Sequence, residues 1–325
     1  MDWSKTVTKS GTPVKILLGG SPCTKWSIAQ KNGREVLPEG IGWELFENYR
    51  IAKEKFQPDF FLYENNKSAA QPIKDAIYSA LGGGKDPLVR LTHINSALVS
   101  AQHRQRFYVT NFGDIEQPKD RGILLRDVLE SGKDLSCREK SYVLTSTYAG
   151  AVPWNTLERS QRTMVAEPVD SESCCNSIYS VKNGLITIKD KQYPVKLADG
   201  YYLIRKLTPT ECERLQTMPD GYTASVSNSQ RYKALGNGWT AEVIIHILNH
   251  ALKDIPRDKE LIVLSMYDGI ATGRYCLDKM GFTNVKYYAY EIDPYAQKIA
   301  MSNYPDIVQC GDAFQVREDG WKIPI

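Results

Sequence analysis

Short apolar runs bounded by Gly, Pro or Asp alternate with longer helix-spaced segments along this 325-residue chain. That alternation argues for a parallel sheet covered by helices. Residues 14–18 (VKILL), 59–63 (DFFLY) and 105–110 (QRFYVT) read as strands, while 43–56 and 71–81 carry helical spacing. Gly82, Gly83 and Gly84 stop the second helix. Near the end the pattern starts afresh, with the strand ELIVLSMY, a glycine-containing turn, a helix, the strand KYYAYEI and a short run IVQC leading into Gly311-Asp312. This is the opening of a Rossmann-type unit, placed at the far end of the chain.

Between about 125 and 205 the texture changes to short β-branched and aromatic stretches with turns between them, including SYVLTSTYAG, VKNGLITIKDKQYPV and DGYYLIRKLT. A small, mostly β insertion is expected there, with Lys182-Asn183-Gly184 as its strongest hairpin signal. Residues 208–217 predict a helix capped by Thr208, with Pro209 at its first position and Glu211 in the capping-box place, and a further helix is expected over 240–253. The expected division is 1–124 and 206–325 for the α/β part and 125–205 for the insertion.

Composition narrows the function classes. With 42% hydrophobic and 24% charged residues the chain is neither disordered, collagenous nor a coiled coil. The net charge of +3 neither demands nor excludes a polyanionic partner, so any basic surface must be local. Seven cysteines are spread without a CxxC pair, which favours free thiols in a reducing compartment. His246 and His250 lie four apart with no Glu or Cys placed to complete a zinc site, so no metal is expected. No apolar run is long enough for a membrane span, and the expectation is a soluble, intracellular protein.

Four constellations carry chemistry. Tyr267-Asp268-Gly269-Ile270-Ala271-Thr272-Gly273 follows a strand and precedes a helix, with Glu291 at the next strand tip. Glycines let a backbone approach a ligand, and an acid at the second tip suits ribose hydroxyls. The pattern lacks the third glycine of GxGxxG, so an adenosyl ligand without a diphosphate fits better than NAD, and a plain connecting turn is the bland alternative. Gly19-Gly20-Ser21-Pro22-Cys23 ends the first strand in a rigid turn, unlike the setting of a packing cysteine. Tyr63-Glu64-Asn65 puts a carboxyl at another strand tip, as a general acid, a cap neighbour or half of a salt bridge. Gln102-His103-Arg104-Gln105-Arg106 opens a strand whose alternation would send both guanidinium groups to one face, where they could bind an anion or carbonyl oxygen; alternating charges on a half-exposed strand are the bland reading.

Together these residues resemble the DNA (cytosine-5)-methyltransferases. The match extends over nearly the whole chain outside the insertion, with Arg205–Thr217 similar to the helix that ends the family's target domain and Ala234-Leu235-Gly236-Asn237-Gly238-Trp239-Thr240 similar to its late cofactor turn. Asn66 stands where the family often has Val, and Tyr267 where Phe is commoner. The family's order begins with the cofactor turn, which here comes last, so the order looks circularly permuted, with a seam near 253–261 and new termini between Gly311-Asp312-Ala313-Phe314 and the Pro-Cys strand.

The resemblance implies a circularly permuted, Rossmann-like S-adenosylmethionine-dependent methyltransferase fold with a small, mostly β target recognition domain. It implies a duplex DNA substrate whose cytosine is rotated into the pocket. Cys23 would attack carbon 6, Glu64 would protonate or hydrogen-bond N3, and Arg106 with Arg104 would hold the base oxygen and orient the carboxylate. Pro22, Tyr267, Asp268, Gly269, Ile270, Thr272, Glu291, Ile292, Asp312, Asn237 and Trp239 would line the cofactor pocket, Asp312 at the adenine amino group and Glu291 at the ribose. Lys182, Asn183, Lys189, Lys191 and Gln192 are candidates for reading bases, although solvated strand faces look the same. A cytoplasmic setting in a bacterial or phage-type host, within restriction-modification, follows from the same resemblance; oligomeric state stays open, a monomer being allowed. The competing readings are a transfer-RNA cytosine methyltransferase, a catalytically silent DNA-binding module, which intact Cys23, Glu64, Arg104 and Arg106 speak against, and an NAD-dependent Rossmann enzyme.

Overall fold

A strand buried on both faces needs an apolar run without alternation, and Val14–Gly19 and Leu261–Met266 are both of that kind. The structure is a computed structural model that describes residues 11–22, 24–27, 32–170 and 177–322. In chain order the strands are β1 (Val14–Gly19), β2 (Phe60–Asn66), β3 (Arg90–Asn95), β4 (Gln105–Thr110), β5 (Lys133–Asp134), β6 (Met164–Val169), β7 (Ile178–Lys182), β8 (Leu185–Ile188), β9 (Lys191–Pro194), β10 (Gly200–Lys206), β11 (Leu261–Met266), β12 (Val285–Tyr290) and β13 (Val308–Gly311). The helices are α1 (Gly40–Phe56), α2 (Gln71–Ala80), α3 (Pro153–Leu157), α4 (Pro209–Leu215), α5 (Asn228–Asn237), α6 (Ala241–Leu252), α7 (Thr272–Lys279) and α8 (Pro294–Asn303). Among the described residues no helix is long and apolar enough to cross a membrane.

The chain divides into two compact units. The first, within residues 1–94, 105–118 and 241–325, is an α/β layer structure of Rossmann-like type around a sheet of order β13-β12-β11-β1-β2-β4-β3. Strands β13, β12, β11, β1 and β2 pair in parallel. The expected parallel sheet fails at β4, which runs antiparallel to β2. Residues 96–104, between β3 and β4, are fewer than the roughly a dozen that a parallel crossover needs. Helix α1 buries Phe46, Tyr49, Ala52 and Phe56, three to four residues apart, so one stripe meets the core with Phe61, Tyr63, Phe107, Leu264 and Met266. It ends where Gln57 turns left-handed and its N–H bonds Lys53 O at 3.0 Å. In α2, Ile73 and Ile77 supply the buried face.

The second unit, residues 95–104 and 119–240, holds an antiparallel sheet of order β5-β6-β10-β7-β8-β9. Asn183 and Gly184 form the two-residue turn between β7 and β8, both at positive φ, as the sequence predicts. SYVLTSTYAG, expected to be strand-like, forms one bridge at Ser141 and a single helical turn at Tyr148–Gly150. Its polar groups find side-chain and loop partners instead of a ladder: Leu144 N–H donates to Gln102 Oε1 at 2.8 Å, and Tyr148 O–H to Thr163 O at 2.6 Å.

Helix α4 begins with the predicted reciprocal cap. Glu211 N–H donates to Thr208 Oγ1 at 3.1 Å, and Thr208 N–H to Glu211 Oε2 at 2.7 Å. Glu211 is fully buried and its charge is covered by Arg205, whose Nη2 lies 2.9 Å from Oε1. Thr208→Ala removes one acceptor of the cap and is expected to lower unfolding free energy by about 1 kcal/mol, read from a shifted urea midpoint with unchanged slope.

Candidate active site at the strand tips

In an open α/β sheet, ligands bind beyond the carboxyl ends of the strands, at the point where chain direction across the sheet reverses. Here the chain enters at β1 and works outward through β2, whereas β11 pairs on β1's other side and the chain leaves through β12 and β13. The register aligns Tyr290 with Met266, Met266 with Gly19, and Gly19 with Tyr63. The residues that follow, Glu291, Tyr267 and Gly20, therefore start three adjacent loops at one level, with Glu64, still within β2, beside them. Cys23 lies outside the described residues; Pro22 is exposed at the end of the turn that leads to it.

That turn is held from beneath. Ser21 Oγ and Tyr63 Oη are 2.7 Å apart, and Asn65 Nδ2 donates to Ser21 O at 3.0 Å and to Tyr63 Oη at 3.1 Å. Burial drives the Tyr63 phenol well above its usual range, which keeps it a neutral partner. Asn65 is a positioning residue that the sequence flagged only as part of a Glu-Asn pair. A Cβ on Gly20 would lie 2.6 Å from Glu64 O and 3.0 Å from Glu64 Oε2, so glycine is what lets the turn sit against the Glu64 strand tip.

Glu64 and Arg106 are both buried, and Arg106 Nε lies 2.9 Å from Glu64 Oε1. The antiparallel β2–β4 register places Asn66 opposite Arg106 and Glu64 opposite Tyr108, which sets two strand-borne side chains at one end of the ladder. Arg104 has a different setting from the one its alternation with Arg106 predicts. It precedes β4 and belongs to the smaller unit, where its guanidinium donates to Leu144 O at 3.1 Å, Gly238 O at 2.8 Å and Gly236 O at 3.4 Å.

Within that smaller unit, fully buried Gln216 acts beside Arg104. Its Nε2 donates to Leu235 O at 2.6 Å and Gly238 O at 3.3 Å, and its Oε1 accepts from Thr240 Oγ1 at 2.9 Å and Gln102 Nε2 at 3.2 Å. The carbonyls on both sides of exposed Asn237, before half-buried Trp239, are thereby fixed. Sequence reading named Asn237 and Trp239 and missed Gln216, whose role depends on partners far away in the chain.

The turn after β11 is tightly wound, with Tyr267, Gly269 and Ala271 all at positive φ, near 60°. Two of these are not glycine, a strain that persists where surroundings over-determine the backbone. Tyr267 O–H donates to Leu45 O at 2.8 Å and its oxygen accepts from Asn48 Nδ2 at 3.0 Å, while burial pushes the phenol up to about 12. A Cβ on Gly273 would meet Tyr287 Oη at 2.6 Å and Leu18 Cδ1 at 2.7 Å, so glycine permits α7 to pack close to the sheet. Buried Ile270 and Thr272 complete the turn.

The two acids beside this turn differ in environment. Glu291 accepts from Gly269 N–H, Ile292 N–H and Asp293 N–H, each at 2.8 Å, which fixes the position of its carboxyl group at the tip of β12. Ile292 beside it is 69% exposed, an aliphatic surface offered to solvent. Exposed Asp312, after β13, accepts from Phe314 N–H at 3.0 Å and caps a helical turn. Asp268 is buried: Oδ1 accepts from Tyr287 O–H at 2.7 Å, and Oδ2 has no hydrogen-bond partner. Burial first, then Glu291's charge, pushes its carboxyl up to about 6.

Two outcomes follow. Gly20→Ala forces a methyl into the Glu64 backbone and is expected to cost about 1–3 kcal/mol, seen as a lower denaturation midpoint. For Asp268, the folded protein keeps a proton that the unfolded chain has released between the ordinary value of 3.8 and about 6. Its contribution to stability is therefore lost as pH rises through that window, by about 3 kcal/mol. In Asp268→Asn that slope should vanish from stability measured at pH 4 to 7; an identical slope in both proteins contradicts the assignment.

A family model for C-5 cytosine-specific DNA methylase matches residues 2–81 and 98–253. The type II methyltransferase M1.ScrFI of Lactococcus lactis subsp. cremoris is 26% identical over 274 residues, 75% of this chain and 64% of that protein. M.SsoII of Shigella sonnei is 25% identical across 71% of this chain and 62% of its own length, and M.HhaI of Haemophilus parahaemolyticus 26% identical across 74% and 75%. The chain thus spans a little under two thirds of the first two relatives. The solved Entamoeba histolytica methyltransferase EhMeth aligns with a TM-score of 0.48 at 14% identity, over 74% of this chain and 78% of that one. With the family match extending over well more than half of its residues, the chain belongs to the C-5 cytosine-specific DNA methylases.

Proposed function

We propose that this chain transfers a methyl group from S-adenosylmethionine to carbon 5 of cytosine in duplex DNA. The observation that carries the reading is the level register of β12, β11, β1 and β2, which sets the turn leading to Cys23 between the Glu64 strand tip and the Tyr267-Asp268-Gly269 turn. A cytosine must leave the base stack before its ring carbons can be reached. In this reading the Cys23 thiolate then forms a bond to carbon 6, and the ring's double-bond electrons shift to make carbon 5 nucleophilic. Glu64, oriented by Arg106, protonates or hydrogen-bonds N3 as charge builds there. After methyl transfer, loss of the carbon 5 proton restores the double bond and expels the Cys23 sulfur.

The residues at the β11 and β12 tips suit an adenosyl group. Gly269 leaves open space where a side chain would stand, Glu291 presents a fixed carboxylate, Ile292 offers an exposed aliphatic face, and Asp268 keeps one buried oxygen without a partner. Tyr267, Ile270, Thr272, Asp312 and Pro22 are the other residues of this unit that would hold it. The cofactor supplies an electrophilic methyl when bound.

The motif order reads as permuted. The family match ends at residue 253, before the Tyr267–Gly273 turn, yet the strand that carries this turn pairs directly with β1. Residues 125–205, with the β7–β8–β9 hairpins, are the proposed target recognition domain.

Labelled methyl transfer to mixed-sequence duplex DNA, with Cys23→Ala in parallel and sequencing of methylcytosine, tests the reading. The expected result is methylcytosine at one short motif and a loss of roughly a thousandfold or more in Cys23→Ala. Transfer to RNA alone, or an equally active Cys23→Ala, overturns it.

A further inference from the structure

The smaller unit contains two hairpin turns of the same geometry built from different residues. Between β7 and β8, Asn183 and Gly184 take positive φ, and these are the residues such turns favour. Between β8 and β9 the same two positions, bracketed by the Ile188–Lys191 pair, are held by Lys189 and Asp190, at φ of 50° and 61°. A lysine gains nothing from a left-handed backbone. Its side chain accounts for its presence: Lys189 Nζ stands 3.9 Å above the Trp154 ring of α3.

Around that contact lies an open cavity of about 260 Å³, lined by Trp154, Glu158, Arg159, Lys189, Lys191 and Tyr193 over the buried side chain of Ile188. Of its three cations, Lys191 is matched to Glu158, with Nζ 2.6 Å from Oε1, and the Tyr193 hydroxyl donates to Glu158 Oε2 at 3.5 Å. The single acid is thus engaged, and Lys189 and Arg159 leave the concavity with an excess of positive charge beside two aromatic walls. The ring stands on one side of the ammonium of Lys189, which is otherwise an exposed residue.

Resting on the reading of the chain as a DNA methyltransferase, we infer that this cavity seats a phosphodiester of the DNA backbone, Lys189 and Arg159 binding the phosphate oxygens and Trp154 and Tyr193 packing on the adjoining sugar. Lys189 and Lys191 then position the duplex and do not read its bases. Backbone contacts of this kind act on every sequence alike and release counterions.

The test is the salt dependence of duplex binding, by fluorescence anisotropy, for the full chain and for Lys189→Asn combined with Arg159→Gln. Asn is the better residue for the turn, so the melting temperature of the variant reports separately on folding. The expected slope of log Kd against log salt falls by about 1, with roughly tenfold weaker binding at low salt, equally for specific and random duplexes. Lys189→Arg should keep the slope. If the parent binds DNA and the double variant keeps its slope with an unchanged melting temperature, or loses only its preference for one sequence, the inference is overturned and the methyltransferase reading stands. If the parent shows no salt-sensitive DNA binding, both fall together.

Discussion

The pairing of β1 with β11 is the constraint on which the larger unit depends. Six consecutive residue pairs, from Val14–Leu261 to Gly19–Met266, join the beginning of the chain to its last third through strands that are almost wholly buried. The contact is close enough that a Cβ on Gly19 would come within 2.7 Å of Met266 O. A slip of one residue would reverse every side chain and break both neighbouring registers, β2 on one side and β12 on the other. It would also lift the Gly20–Pro22 turn out of level with the Tyr267–Gly269 turn, and the arrangement of loops at the strand tips would be gone.

On that frame, three carboxyl groups at one edge of the sheet acquire different characters from their surroundings alone. Glu291 accepts hydrogen bonds from three backbone N–H groups, which fix its position. Glu64 is buried beside the guanidinium of Arg106 on the adjacent strand. Asp268 is buried beside the Tyr287 hydroxyl, and burial, outweighing its hydrogen bonds, pushes its carboxyl up to about 6.

What the sequence revealed, and what it hid, divides along local and non-local lines. The buried strands, α1, α2, the Asn183-Gly184 hairpin and the Thr208 cap are set by neighbours a few residues apart, and their pattern could be read directly. The antiparallel course of β4 was invisible because strand direction depends on the length of a connection and on the neighbour the strand finally meets. The strand-like SYVLTSTYAG lost its ladder to Gln102 and Thr163, groups no periodicity could foresee. The two arginines of Gln-x-Arg-x-Arg were read as a matched pair, yet Arg106 belongs to the strand and Arg104 to a cluster of carbonyls in the smaller unit. Asn65 and Gln216 emerged only once their distant partners were in place.

The same distinction governs how such a chain can pair its first strand with one late in the sequence. Loop-closure entropy grows only with the logarithm of the separation, so bringing Leu261–Met266 onto Val14–Gly19 costs little more than pairing strands much nearer in sequence. The cost falls on folding rate instead, because the central pair cannot form until both ends of the larger unit are available. Until then β1 has a partner in β2, through Ile16–Phe60 to Gly19–Tyr63, which protects one edge. Its other edge waits for β11. The stability of the finished sheet is thus nearly indifferent to the order in which its strands occur, and the strand tips can keep one arrangement of loops under more than one chain order.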